Sequence, residues 1–283
     1  MSLGNHLVHV IHDYLAQPDP AGTDPVAPLF QDDGTFGAGA AGTASTAPLS
    51  QVLYLQERGD TAKISVSDLH QGQLGDCFLI SSIGELALTH PTAISNMIQT
   101  NSNGTETVRL YEAANGRLPT FGTTAYKAVS VTVNDTFPSY AVSGAAGQDV
   151  VGTQKEIWPQ VIEKAVATED GGYGGIAYGG NPMIAMEELT GHAASFLSPA
   201  SLTLATLQGD AAAGDLIVMD TASKSNLPYN LVGNHAYMFE AVTNTASGPM
   251  VQLGNPWGFD QPAAIPLSQL SKGVVEVDVG RFA

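Results

Sequence analysis

Cys77 is the single cysteine of the 283-residue chain, and it follows the run Gln71-Gly72-Gln73-Leu74-Gly75-Asp76. A thiol attacks as the thiolate, which forms more readily at a helix N-terminus and beside a histidine. Leu79, Ile80, Ile83, Leu86 and Ala87 fall on one face of a helix that Asp76 is suited to cap. That places Cys77 in the first turn, with the positive end of the helix dipole facing the sulfur. Gly72 and Gly75 would let the backbone pass close in front of it, leaving room for a reacting carbonyl. The bland alternative for a lone cysteine here is a small buried hydrophobe.

Two other residues could complete a nucleophilic set. His235 lies in Gly233-Asn234-His235-Ala236-Tyr237, and Asn255 in Gly254-Asn255-Pro256-Trp257-Gly258. Taken singly, His235 is a strand histidine among apolar neighbours and Asn255-Pro256 is ordinary turn chemistry. Taken together with Cys77 they have a chemical logic. An asparagine amide can hold one ring nitrogen of a histidine so that the other faces the sulfur, without adding charge.

The elements that must position these groups follow from periodicity. A helix is expected from Asp76, ended or interrupted by Pro91, and a second over 155–169 (KEIWPQVIEKAVATE), with Pro159 in its first turn and Gly171-Gly172 as terminator. MIAMEELTG (183–191) is helical. The stretches TVRLYEA, YKAVSVTVND, DLIVMD, HAYMFEAVTN, MVQLGNP and GVVEVDVG alternate as strands. The fold class is therefore α+β, with three parts: residues 1–50, an N-terminal extension of one short helix (4–16) and a Pro-, Gly- and Ala-rich segment; 51–200, a helical lobe carrying the cysteine; and 201–283, a β-rich lobe carrying the histidine and asparagine. Residues 17–50 suit either a linker or a strap across the cleft.

Ten basic residues against 27 acidic ones give a formal charge of −17, which repels phosphate backbones and anionic membranes. Nucleic acid and membrane are excluded as partners on this ground. One cysteine permits no internal disulfide. No run of about 18 apolar residues reads as a spanning helix, and no basic residue precedes Arg58 to start a secretory leader. The abundance of small polar residues resembles exported bacterial proteins and favours a secreted or cell-surface setting over a cytoplasmic one. The chain is compatible with being part of a larger polypeptide. His6, His9 and His12 recur every three residues, but helical drift splays them and no further ligand completes a set. No metal site is assigned to them. The glycine-rich stretch 171–180 lacks the phosphate-loop pattern.

The motifs also resemble a known family. Gln71-Gly72-x-Leu74-Gly75-Asp76-Cys77 is similar to the nucleophile signature of the calpains, with Phe78 where the family has tryptophan; Asn234-His235-Ala236-Tyr237 is similar to the GHAY motif, and Asn255-Pro256-Trp257-Gly258 matches NPWG. The resemblance spans about residues 65–260. It implies a papain-like two-lobe core of bacterial type and a cysteine endopeptidase acting on polypeptides through a thioester. Cys77 would be the nucleophile, His235 the base and Asn255 its orienter. Gln71 and the Cys77 N–H would form the oxyanion hole, and Trp257 would shield the His–Asn bond. Gly180 would line the substrate cleft, where Asn234 replaces a family glycine and adds a side chain to the wall. No cofactor is required for the chemistry. Calcium is what the resemblance suggests, although no D-x-[DN]-x-[DN]-G loop occurs. Two rivals are a catalytically silent binding or scaffold domain and a self-processing domain of a larger surface protein.

Overall fold

A computed structural model describes residues 49–56, 62–144 and 148–282. The expected helix at 4–16, the histidines within it and residues 17–48 lie outside these. Strand β1 (Ser50–Val52) leads to the central helix α1 (Cys77–Thr89), which stops before Pro91. Proline cannot donate to the preceding turn and restricts the residue before it, so the chain bends by 112° into α2 (Pro91–Met97). Next come β2 (Ile98–Thr100), β3 (Thr105–Ala113) and β4 (Tyr126–Asn134), a three-stranded antiparallel sheet in that order. Short strands β5 (Val150–Val151) and β6 (Gln154–Glu156) complete a second three-stranded sheet, in which β6 lies between β1 and β5.

Helix α3 (Trp158–Glu169) carries Pro159 in its first turn, where its missing N–H costs nothing. A short α4 (Tyr173–Ile176) and α5 (Pro182–Thr190) follow. Strand β7 (Ala194–Leu197) and helix α6 (Leu204–Ala213) precede β8 (Leu216–Thr221), β9 (Ala236–Thr245), β10 (Gly248–Gly254), β11 (Ile265–Pro266) and β12 (Val274–Gly280). These strands form one six-stranded sheet ordered β11-β10-β9-β8-β12-β7. Periodicity does not predict α6; its signals are the Thr203 hydroxyl, which accepts the Thr206 N–H, and the left-handed Gly214 at its end.

The architecture is mixed α+β, as expected for a papain-like core. Period-two alternation gives the large sheet two cores. Leu216, Val218 and Ala236 pack toward α1, α3 and α5, while Ile217, Met219, Tyr237 and Phe239 form a second cluster with Leu207, Val251 and Val277. Helix α1 is thus held between the helical part and the sheet. No single helix among the described residues is long and apolar enough to cross a membrane.

Candidate active site

Helix α1 is largely apolar, and one polar stripe on it faces the large sheet. Cys77, Ser81 and Glu85 are spaced i, i+4, i+8 and face β8 and β9. The Ala236 backbone amide hydrogen-bonds to the sulfur. Ser81 Oγ donates to the Ala236 carbonyl at 3.0 Å, and the Glu85 carboxylate accepts the N–H groups of Ile217 and Phe239. Each polar group on the stripe therefore meets a backbone partner on the sheet, which fixes the cysteine against the residue that follows His235.

His235 and Asn255 sit at the same end of the β9–β10 hairpin, one before β9 begins and one after β10 ends. Antiparallel register does the pairing: His235 Nε2 lies 3.0 Å from Asn255 Oδ1. Asn255 Oδ1 also accepts the Trp257 N–H at 3.1 Å, and its Nδ2 donates to the Asp260 carbonyl at 3.2 Å. Oδ1 is therefore an acceptor and Nε2 must carry a proton, so that in the neutral ring Nδ1 is the basic nitrogen. The His235 backbone is pinned on both sides, its N–H to Thr221 Oγ1 and its carbonyl to the Thr221 N–H. Trp257 is stacked at a tilt against the His235 ring, centroids 4.7 Å apart, and Phe259, 59% exposed, lies beyond it. Trp257 thus covers the histidine from solvent.

Cys77 is the first residue of α1 and 7% exposed. Its environment works against the thiolate. Burial pushes the thiol up to about 12, Asp220 and Asp76 add to the rise, and the Ala236 and Phe78 backbone groups only partly offset it. The free protein therefore holds a neutral thiol, despite the helix N-terminus.

Asp76 occupies the N-cap position but its side chain makes no capping hydrogen bond. It is drawn instead to Gln71, whose Nε2 lies 3.2 Å from Asp76 Oδ1, and to the buried Glu163. The same Gln71 Nε2 donates to the Leu74 carbonyl at 2.8 Å. Gln71 thus stands beside the cysteine loop with its amide engaged inward. Its backbone N–H donates to the Pro256 carbonyl at 2.8 Å, tying this loop to the asparagine loop.

The glycines before Cys77 differ from expectation in what they admit. A Cβ on Gly72 would lie 1.9 Å from the Tyr140 carbonyl and one on Gly75 2.7 Å from that of Ala177. The close approach is by the protein's own backbone. Gly180 is likewise packed, since a Cβ there would meet the Phe78 ring at 2.4 Å. Asn234 is exposed with φ +56°, a left-handed conformation that glycine adopts freely and asparagine tolerates best among the others.

Behind the cysteine lies a group that motif reading missed. Asp220 on β8 pairs across one rung with Ala236 and across the other with Glu276 of β12, and Asp278 lies two residues further along β12. One carboxylate oxygen from each of the three lies within 4.8 Å of the others. The signal was available as alternation: acidic residues at 276 and 278 share one face of an otherwise apolar strand.

A family model described as calpain family cysteine protease matches residues 56–264. This chain belongs to the calpain family. Calpain-A of Drosophila melanogaster is 29% identical over 217 residues, covering 68% of this chain and 24% of that protein. The calpain-type cysteine protease DEK1 of Zea mays is 30% identical over 213 residues, covering 70% of this chain and 9% of that protein. Human Calpain-9 is 23% identical over 205 residues, covering 68% and 28%. The calpain-like chain thus spans less than a third of each of these relatives, all of them eukaryotic.

Proposed function

We propose that this chain is a calpain-like cysteine endopeptidase core, with Cys77, His235 and Asn255 as its catalytic residues. The observation that carries the reading is the His235–Asn255 pair, which leaves Nδ1 as a base next to the residue whose amide contacts the sulfur. His235 Nδ1 takes the thiol proton as Sγ attacks the scissile carbonyl. The oxyanion receives the Cys77 N–H and, once Gln71 gives up an inward partner, one of its amide hydrogens. His235 then returns the proton to the leaving amine, which leaves a thioester. Water, deprotonated by His235, attacks the thioester; the C–S bond breaks, the acid is released and His235 returns the proton to the departing Cys77 sulfur. A neutral resting thiol suits this general-base route.

Gly180 and Asn234 belong to the proposal as cleft residues, and Trp257 as the shield of the His–Asn bond. The substrate is a polypeptide, and the chain is part of a larger protein by analogy with its longer relatives. A secreted or cell-surface setting rests on composition, and a bacterial-type core on the motif resemblance together with composition. Calcium dependence is included too. Calcium takes oxygen ligands, and the carboxylates of Asp220, Glu276 and Asp278 fit it in kind. It would supply positive charge beside the site, while every bond-making step belongs to the side chains above.

The test is labelling with an electrophilic thiol-protease probe, with and without calcium, followed by digestion of an unfolded protein. Wild type should label faster than free cysteine and digest the protein, whereas Cys77→Ala and His235→Ala should do neither. Labelling no faster than that of an ordinary thiol would favour the scaffold alternative. Cleavage confined to the parent chain would favour self-processing.

A further inference from the structure

We propose that the cavity between α2, β3 and the end of α5 binds a small organic monocarboxylate, with Arg109 holding the carboxylate and apolar walls holding the hydrocarbon body. The cavity encloses about 300 Å³, the lower end of the range for small-molecule sites and room for about ten water-sized groups. It is separate from the cysteine: Leu86, which borders it, stands about 13 Å along α1 from Cys77. Its charge sets it apart from the rest of the molecule. The chain has 27 acidic residues against 10 basic ones, yet the cavity is lined by Arg109, His90 and His192 and by no aspartate or glutamate among the described residues.

Strand alternation places the cation. Val108 and Leu110 turn into the core, so Arg109 and Tyr111 share the other face of β3, opposite Ser130 and Ala128 of β4. Neither neighbour can neutralise a guanidinium, and Glu112, next along β3, is taken by Lys127. Arg109 has no ion pair or hydrogen bond with the described residues, and neither the Tyr111 hydroxyl nor a ring nitrogen of His192 has a hydrogen bond with them. The apolar part is firmly built. His90 Nε2 donates to the Gly214 carbonyl at 2.6 Å, which holds its ring flat against Phe282, centroids 3.7 Å apart and planes 17° apart. His192 tilts against the same phenyl ring at 6.0 Å, and the buried Leu86, Met97 and Leu189 complete the wall. A guanidinium presents a fork that matches a carboxylate, and one such group balances one negative charge. A phosphate dianion would need further cations and is repelled more strongly by a chain of net charge −17.

The site does not depend on the proteolytic reading, and its test keeps the two apart. The full chain is titrated with 3-phenylpropionate and with its neutral counterpart 3-phenylpropanamide, followed by ligand-observed NMR. Wild type and Cys77→Ala should bind the acid equally, and about fivefold or more tighter than the amide. Arg109→Gln, a change at an exposed residue, should leave the thermal midpoint unaltered and lower the affinity for the acid to that for the amide. Phe282→Ala should weaken both ligands alike. The proposal is overturned if wild type binds the acid no more tightly than the amide, or if Arg109→Gln binds it as wild type does. Loss of binding in Cys77→Ala would place the ligand at the cysteine and overturn it too. Inorganic phosphate should not displace the acid; displacement at equal concentration would overturn the choice of a carboxylate. A tripeptide ending in phenylalanine with a free carboxylate should bind more weakly, and tighter binding would overturn the choice of a free small acid.

Discussion

Glu85 Oε1 accepts the backbone N–H of Phe239 at 2.6 Å, a bond between a helix and a strand 154 residues apart. Its second oxygen accepts the Ile217 N–H at 3.0 Å, so one carboxylate closes the β8–β9 ladder where the two strands part. The cysteine sits two turns up the same helix. Glu85 therefore positions the nucleophile without touching it, and burial pushes its carboxyl well above the usual range. Glu85→Ala strands two buried donors and should cost about 2–4 kcal/mol. Glu85→Gln is not a mild change, because its NH₂ must face one of those donors; about 1–3 kcal/mol is expected. Urea unfolding checks both, and a Gln variant as stable as wild type would contradict the arrangement.

A second prediction concerns pH and Asp76. Burial first raises its carboxyl from 3.8 to about 7, and Glu163, raised well above its usual value by burial and by Asp76, donates to it. A carboxyl that binds its proton more tightly in the folded state contributes stability that is full below its unfolded value. That stability is lost as pH rises through the folded one. Unfolding free energy should therefore fall between about pH 4 and 7, with one proton contributing at most about 1.4 kcal/mol per pH unit. Asp76→Asn should flatten this slope in chelator-containing buffer. An unchanged slope in that variant would assign the effect to other acids.

The sulfur makes a third. With the thiol pushed up to about 12, chiefly by burial, alkylation of the free protein by iodoacetamide should accelerate steadily from pH 6 to 10. A preformed thiolate would instead give a plateau across the neutral range. Rates measured across this range on the single cysteine decide between them. A plateau below pH 8 would mean that the resting protein already holds the charged pair.

Much of this was legible beforehand because it is local. The helix from Cys77, the break at Pro91 and the strands that border His235 and Asn255 all follow from periodicity and from proline chemistry. The motifs around Cys77, His235 and Asn255 identified the family that the comparison then supported. What stayed hidden depends on partners distant in sequence. Ser81 and Glu85 look like interruptions of an apolar helix until β8 and β9 are placed against them. Asp220 becomes part of a cluster only through strand register. Gln71 sits in the right motif, yet the direction of its amide is decided by Leu74 and Asp76. Helix α6 escaped because Leu204–Ala213 holds small residues and a glycine rather than a clear apolar stripe.

Asn234 and Gly180 allow packing to be separated from substrate contact. At φ +56° an alanine is strained where asparagine is tolerated, so Asn234→Ala should cost about 1 kcal/mol while Asn234→Gly stays near neutral in stability. If Asn234 lines the cleft, the glycine variant should lower KM for peptide substrates and leave kcat largely unchanged, because it removes a side chain and touches no reacting group. Gly180→Ala is different. Its methyl would overlap the Phe78 ring, and overpacking of this kind costs about 1–3 kcal/mol. Combining it with Phe78→Leu should recover part of that loss, a coupling that a glycine required only for substrate access would not show. Unfolding midpoints of the two single variants and the double variant measure that coupling directly. Additive effects would mean that Phe78 does not set the requirement for glycine at position 180.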